Sequence, residues 1–266
     1  MSLTIGIVCE GPSDYDLLRT VIDGIARDED VFYHRLQPVD SLIDPLGNGW
    51  KGVWRWCEEY GGKLTQYFSE ISPQIQYLIV QMDGDVSRKE REPHCACPPV
   101  VCPSAGEVHP LTCELCASER CPVALPCAAH EAAPSGYREH LEKLVFQWLR
   151  QSPDHPAILV TIPCDSTDAW IAAAYEGESC DYEQVEDPWR SIIAHSASYH
   201  GIRIPGRKKR QQTYAKLAER VCEEWDTVKE RCVEAARFDR AIRCLCARES
   251  GKKSERNGKL PPAPQP

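Results

Sequence analysis

Two short apolar runs in this chain each end on carboxylates set against glycine, and that repetition is the first chemistry the residues offer. Ile5, Ile7, Val8 and Cys9 lead to Glu10 and Gly11, while Tyr77, Leu78, Ile79 and Val80 lead past Met82 to Asp83, Gly84 and Asp85. Short apolar runs bounded by Gly and Pro have the form of strands buried in a parallel sheet. Ligands of open α/β sheets bind beyond the carboxyl ends of the strands, which is where Glu10, Asp83 and Asp85 would stand. Acids gathered at one edge repel one another, and a hard divalent cation such as Mg²⁺ or Mn²⁺ relieves the repulsion. The bland alternative is a pair of strand-end turns with solvated acids. Gly84 is expected to let the backbone turn tightly between the two aspartates.

The elements that must position these acids can be traced around them. Ser13 and Asp16 have capping-box spacing, and Leu17, Leu18, Val21, Ile22 and Ile25 recur at helical spacing, so a helix follows Glu10 directly. Val31 to Leu36 is a further strand. Val53, Cys57, Tyr60, Leu64 and Tyr67 trace a helix that Gly61 and Gly62 weaken, and Trp50, Trp54 and Trp56 beside it are assigned to packing. A helix from about Tyr137 to Arg150 and a strand from Ala157 to Ile162 resume the alternation. Asp165 and Asp168 then precede an Ala-rich helix with the spacing of a cap and its third-position acid. From Asp187 to Arg248 the chain looks helical. Tyr214, Leu217, Val221, Trp225, Val228 and Cys232 predict one long amphipathic helix, and Phe238, Ile242 and Leu245 another.

A hydrophobic strand, E-G-x-x-D, a second hydrophobic strand and D-x-D together resemble the pattern of the Toprim family, shared by topoisomerases, bacterial primases and overcoming-lysogenization-defect nucleases. The motif falls on Glu10, Gly11, Asp14, Asp83 and Asp85. The resemblance implies a Toprim-like α/β fold, a mainly parallel sheet flanked by helices. It also implies that Glu10 is a general acid/base or metal ligand and that Asp83 and Asp85 hold Mg²⁺ for phosphodiester chemistry on DNA or RNA. The stretch Asp165, Asp168, Ala169, Trp170 is similar to a Toprim-like group with an E-A-W-like motif after the corresponding strand. Asp168 here takes the place of the usual glutamate, and the likeness adds Asp165 and Asp168 to the Mg²⁺ set beside Asp14. The helical C-terminal part resembles the same group. Such relatives are commonly encoded beside ABC- or AAA-type ATPases in bacterial defence cassettes, so the resemblance implies an ATPase partner.

From Arg88 to about His130 the α/β pattern is interrupted by Cys, Pro and Ala. Cys95, Cys97, Cys102, Cys113, Cys116, Cys121 and Cys127 lie there, with His94, His109 and His130. Thiolates at knuckle spacing with occasional histidine are the ligands of structural Zn²⁺, one or two ions of it; the spacing also admits an iron–sulfur cluster. A segment so poor in bulky apolar residues cannot offset its ordering entropy by burial, so metal would supply its folding free energy.

Composition bounds the rest. At 266 residues and 42% hydrophobic content the chain can bury a full α/β core with an accessory region. The expected organisation is an α/β domain over 1–180 interrupted by the 88–130 insertion, a helical region over 181–249, and a disordered polar tail over 250–266. Fifteen cysteines without a signal pattern speak for metal ligation or burial rather than a disulfide framework. No apolar run approaches about 18 residues, so a cytoplasmic protein with no membrane span is expected. The net charge of −9 does not favour general nucleic-acid binding. It leaves Arg203, Arg207, Lys208, Lys209 and Arg210 as a local phosphate-binding candidate, or as a solvated loop. No G-x-x-x-x-G-K-[ST] occurs, so ATP hydrolysis would belong to the partner. The residues thus support two functions: a Mg²⁺-dependent nuclease working with an ATPase, or a non-catalytic zinc-stabilised module that binds a partner. Homo-oligomerisation is open in both.

Overall fold

The computed structural model describes residues 3–27, 30–39, 45–86, 137–177, 180–194, 198–204 and 210–257, with side chains in the last helix described through Glu249. The cysteine-rich insert with all its expected zinc ligands lies outside the described residues, as do Arg207, Lys208 and Lys209.

The strands are β1 (Leu3–Val8), β2 (Val31–Gln37), β3 (Tyr77–Gln81) and β4 (Ile158–Thr161). Helix α1 (Pro12–Ile25) joins β1 to β2. Helices α2 (Trp50–Tyr60) and α3 (Leu64–Glu70) lead to β3, and α4 (Arg138–Leu149) leads to β4. Thereafter come α5 (Asp168–Tyr175), α6 (Pro188–Ala194), α7 (Gln211–Glu223), α8 (Trp225–Arg231) and α9 (Val233–Asn257). The four strands form one all-parallel sheet in the order β2-β1-β3-β4. The chain leaves β1 toward one side for β2 and returns across it to β3 on the other. Strand order therefore reverses between β1 and β3, and such a reversal opens a crevice beyond the carboxyl ends of the two strands.

Alternate residues of each strand point to opposite faces. Leu3, Ile5 and Ile7 of β1 with Tyr77 and Ile79 of β3 pack against α1, α5, α7, α8 and α9. Val8, Leu78, Val80, Ile158 and Val160 pack instead against Val53, Trp56, Leu141 and Val145 of α2 and α4. Burial on both faces explains the near-continuous apolar runs. The chain is thus an α/β protein with a parallel sheet between two helical layers. The helical region after residue 181 builds one of those layers and shares its core with α1.

Several local expectations change. Gly11, not Ser13, is the N-cap of α1, with no side-chain cap bond, because Pro12 opens the helix at a position whose missing N–H needs no cap. The long helix expected from Tyr214 to Cys232 is broken at Glu224, where Trp225 turns inward, its ring centroid 5.5 Å from that of Trp170 and its indole N–H donating to Asp239 at 2.9 Å. Helix α9 runs on to Asn257, into the tail expected to be disordered, since Lys, Ser, Glu and Arg there extend a helix already anchored upstream.

Candidate functional site

The loops after β1, β3 and β4 and the first turn of α1 meet in one open cleft of about 420 Å³ at the β1/β3 crevice. Its walls include Glu10, Asp14, Asp83, Asp85, Asp165 and Asp168, so all the acids expected at a Mg²⁺ site share one cavity, and Asp187 joins them. Among the described residues lining it, none is Lys, Arg or His. The acids differ in depth. Asp165 and Asp168 are 2% exposed and Asp14 is 4% exposed, Asp83 and Asp85 stand slightly further out at 7% and 8%, and Glu10 is half-buried.

Glu10 and Asp83 are held by a ring of three hydrogen bonds through Gln81. The Glu10 backbone N–H donates to Gln81 Oε1 at 3.2 Å, Gln81 Nε2 donates to Asp83 Oδ1 at 2.7 Å, and the Asp83 backbone N–H donates to Glu10 Oε1 at 2.8 Å. The inner acids are braced by a second set of bonds, joined to the first where the Thr167 N–H donates to Asp83 Oδ1 at 3.4 Å. Thr167 donates its hydroxyl hydrogen to Asp14 Oδ1 at 2.6 Å and touches the Tyr214 hydroxyl at 2.9 Å, while Tyr214 donates to Asp168 Oδ1 at 3.0 Å. Burial first, and then the negative field of Asp168 and Asp14, hold the Tyr214 phenol well above its ordinary pKa, so it stays a donor. The same order of causes, burial and then Asp14, raises the Cys9 thiol beside Glu10.

Asp165 does not cap α5. Its residue has a left-handed backbone, φ 54°, and its Oδ2 accepts the N–H of Asp187, itself at φ 50°. Two of the four described non-glycine residues with positive φ therefore face this cleft, and strained backbone of this kind clusters at functional sites. Gly84 lies outside the left-handed region. A Cβ there would lie 3.0 Å from Pro163 O and 3.2 Å from Asp165 N, so any other residue would push the β3 and β4 loops apart by a few tenths of an ångström. The left-handed turn is instead at Gly49, φ 72°, the N-cap of α2, whose N–H donates to the Glu10 carbonyl at 2.9 Å.

As placed, no three His, Cys, Asp or Glu side chains among the described residues converge closely enough to hold a metal ion. The donor chemistry nevertheless fits Mg²⁺ or Mn²⁺, for which carboxylates are the suitable hard ligands. Mg²⁺ usually takes one or two carboxylates and completes its shell with water and substrate phosphate rather than a protein cage. The basic candidates are less gathered. Arg203 and Arg210 are exposed and outside the cleft lining, although Arg210 caps α7 one turn before Tyr214. A second cavity of about 330 Å³, lined by Arg27, Arg243, Glu223 and Asp226 among others, mixes both charges and shares no lining residue with the cleft.

Gln81, Thr167, Tyr214 and Asp187 are not among the site residues expected from the sequence. The signal for Gln81 was present: one amide in an otherwise apolar buried strand needs partners. Tyr214 showed only its helical phase, which buries the ring and says nothing of the hydroxyl. No protein-family model, curated protein or solved structure matches the chain.

Proposed function

We propose that the protein is a Toprim-type, Mg²⁺-dependent phosphodiester hydrolase acting on DNA or RNA. The reading rests on one observation: acids from three strand ends and α1 share a single cleft at the point where strand order reverses. Glu10, Asp83 and Asp85, the outer acids, would hold the cation. Bound there, Mg²⁺ would supply Lewis-acid polarisation of a phosphate and neutralise its charge. Glu10, the most exposed of the three, is suited to orient or deprotonate attacking water. Gly11 and Ser13 of α1, Gly49 before α2 and Ser166 before α5 line the same cleft, so the positive ends of three helix dipoles favour an anionic group beside the cation. Asp14 and Asp168 brace this arrangement through Thr167 and Tyr214.

The cysteine-rich insert would carry structural Zn²⁺, and the resemblance of the motif residues to Toprim proteins of defence cassettes supports an ATPase partner and an antiviral effector role. A second reading, a non-catalytic partner-binding module, is favoured by the depth of Asp14, Asp165 and Asp168 and their bonds to protein donors. Glu10→Gln separates the two. Its amide oxygen can still accept the Asp83 N–H, but it can neither take a proton nor neutralise the cation. Mg²⁺-dependent cleavage by the protein reconstituted with its ATPase should fall on the order of 10²–10⁴-fold, with melting unchanged. Equal cleavage by wild type and Glu10→Gln would overturn the assignment of Glu10.

A further inference from the structure

The ladder between β1 and β3 ends at the pair Val8 and Val80, and the next rung is made by a side chain. The backbone of Gln81 is registered with Thr161 of β4 on its other side. Its fully buried side-chain amide turns toward β1 and accepts the Glu10 N–H, as a strand carbonyl would one step further along. The same amide then donates to Asp83 Oδ1, and Asp83 returns its own N–H to Glu10 Oε1. Only a group with an acceptor and a donor on one rigid plane can do both. Leucine or methionine would fill the space with neither, and glutamate would offer no donor while adding a charge beside Asp83.

We infer that Gln81 is a positioning residue of the metal site, a surrogate peptide group that fixes the separation and orientation of the Glu10 and Asp83 carboxylates for a divalent cation. The inference rests on the reading of the cleft as a metal site and adds to it the part that sets its affinity. Groups that orient metal ligands typically contribute 10–100-fold in metal affinity or activity when removed. The clamp is also buried and joins two adjacent central strands, so the position it imposes is stiff.

The test is Mn²⁺ binding to the full chain, followed by the electron paramagnetic resonance of free Mn²⁺, for wild type and Gln81→Met. Methionine nearly matches glutamine in volume and suits an apolar strand. Gln81→Met is expected to keep the far-ultraviolet spectrum of wild type and to weaken Mn²⁺ at least about tenfold. If Gln81→Met does not fold, Gln81→Asn carries the test, because its amide is one methylene too short to reach both partners; the same tenfold loss is expected. Folded Gln81→Met, or Gln81→Asn in its place, binding Mn²⁺ within twofold of wild type would overturn the positioning role while leaving the metal site standing. Wild type that binds no Mn²⁺ would overturn the metal reading itself, and the positioning role with it.

Discussion

Two gatherings of carboxylates reach the end of β4, and they are built on opposite plans. Glu183 accepts the Glu234 N–H with both oxygens, at 3.1 and 2.9 Å, and the Trp170 indole N–H at 3.3 Å. Glu234 accepts the Ile162 N–H at 3.0 Å and the Thr161 hydroxyl at 3.2 Å, and pairs with Arg237 at 2.9 Å and with Arg138 at 3.8 Å. These two acids, each 1% exposed, tie β4, α4, α5 and the start of α9 together using peptide, indole and guanidinium donors. The cleft acids open instead on a cavity of about 420 Å³ whose described lining includes no cationic side chain. Glu183 and Glu234 are saturated by the protein and hidden, whereas Glu10, Asp83 and Asp85 line the cavity, as the proposed role of holding a cation would require.

The contrast breaks most visibly at Glu234. Glu234→Ala strands the buried Ile162 N–H and Thr161 hydroxyl and takes one of two carboxylate partners from Arg237, which keeps Glu142, so it should cost about 3 kcal/mol. At about 2–4 °C per kcal/mol for a chain of this size, the melting temperature should fall by roughly 10 °C. Calorimetry or thermal circular dichroism measures this directly. A loss under about 1 kcal/mol would mean that the pair is not architectural.

The opposite behaviour is expected of Asp83. Asp83→Asn keeps an oxygen to accept from Gln81 and removes one charge from a crowded edge, so without metal it should melt at or above wild type. Saturating Mg²⁺ at about 100 times its dissociation constant should stabilise wild type by about 2.7 kcal/mol. Asp83→Asn should lose most of that gain. Melting curves with and without Mg²⁺ decide the matter. A Mg²⁺ shift that survives the substitution would move Asp83 to the architectural class.

How far this division could be read beforehand depends on which interactions are local. The ends of β1 and β3 were legible because strands covered on both faces are nearly continuous apolar runs, beyond which Glu10 and Asp83 are the first carboxylates. The partners of those acids were not legible. Gln81 meets Glu10 from 71 positions away, and Thr167 meets Asp14 from 153, distances at which no periodicity speaks. The break between α7 and α8 depends on where Trp225 finds Trp170, again a tertiary fact. Gly84 was recognisable as a position that favours glycine, but the reason lay in its close approach to the neighbouring loop at Pro163 rather than in its own turn. Glu183 and Glu234 fell on helical stretches where glutamate is ordinarily a solvated residue, so the architectural pair gave no sign at all.

A smaller effect separates the two regions by pH. Burial pushes both Glu183 and Glu234 up to about 7, against an unfolded value near 4.3. Between those limits the folded chain holds more protons than the unfolded one. The stabilising contribution is therefore complete below about pH 4 and is lost as pH rises toward 7, by at most about 1.4 kcal/mol per pH unit for each group. Glu183→Gln removes one of the two slopes. Melting of wild type and Glu183→Gln at pH 5.5 and 7.5, without divalent metal, should show the gap between them narrowing or reversing at the higher pH. Parallel curves would mean that Glu183 is ionised throughout the window.

The finest division runs through Asp168, which touches both plans: it lines the cleft, yet its Oδ1 accepts from the buried Tyr214 hydroxyl. Tyr214→Phe removes that hydroxyl while keeping the ring, whose centroid lies 6.1 Å from that of Trp189. Since the phenol stays protonated, the loss should be about 1 kcal/mol and nearly the same from pH 6 to 9. If Asp168 is a brace, the Mg²⁺-induced melting shift of Tyr214→Phe should equal that of wild type even though both curves start lower. This is the expected result, because Asp168 lies deeper than Glu10, Asp83 and Asp85. Should Tyr214→Phe instead weaken Mg²⁺ by tenfold or more, the size of effect expected when a ligand loses its orienting partner, Asp168 would join the metal set. The line between architecture and chemistry would then pass through Tyr214 and Thr167 rather than outside them.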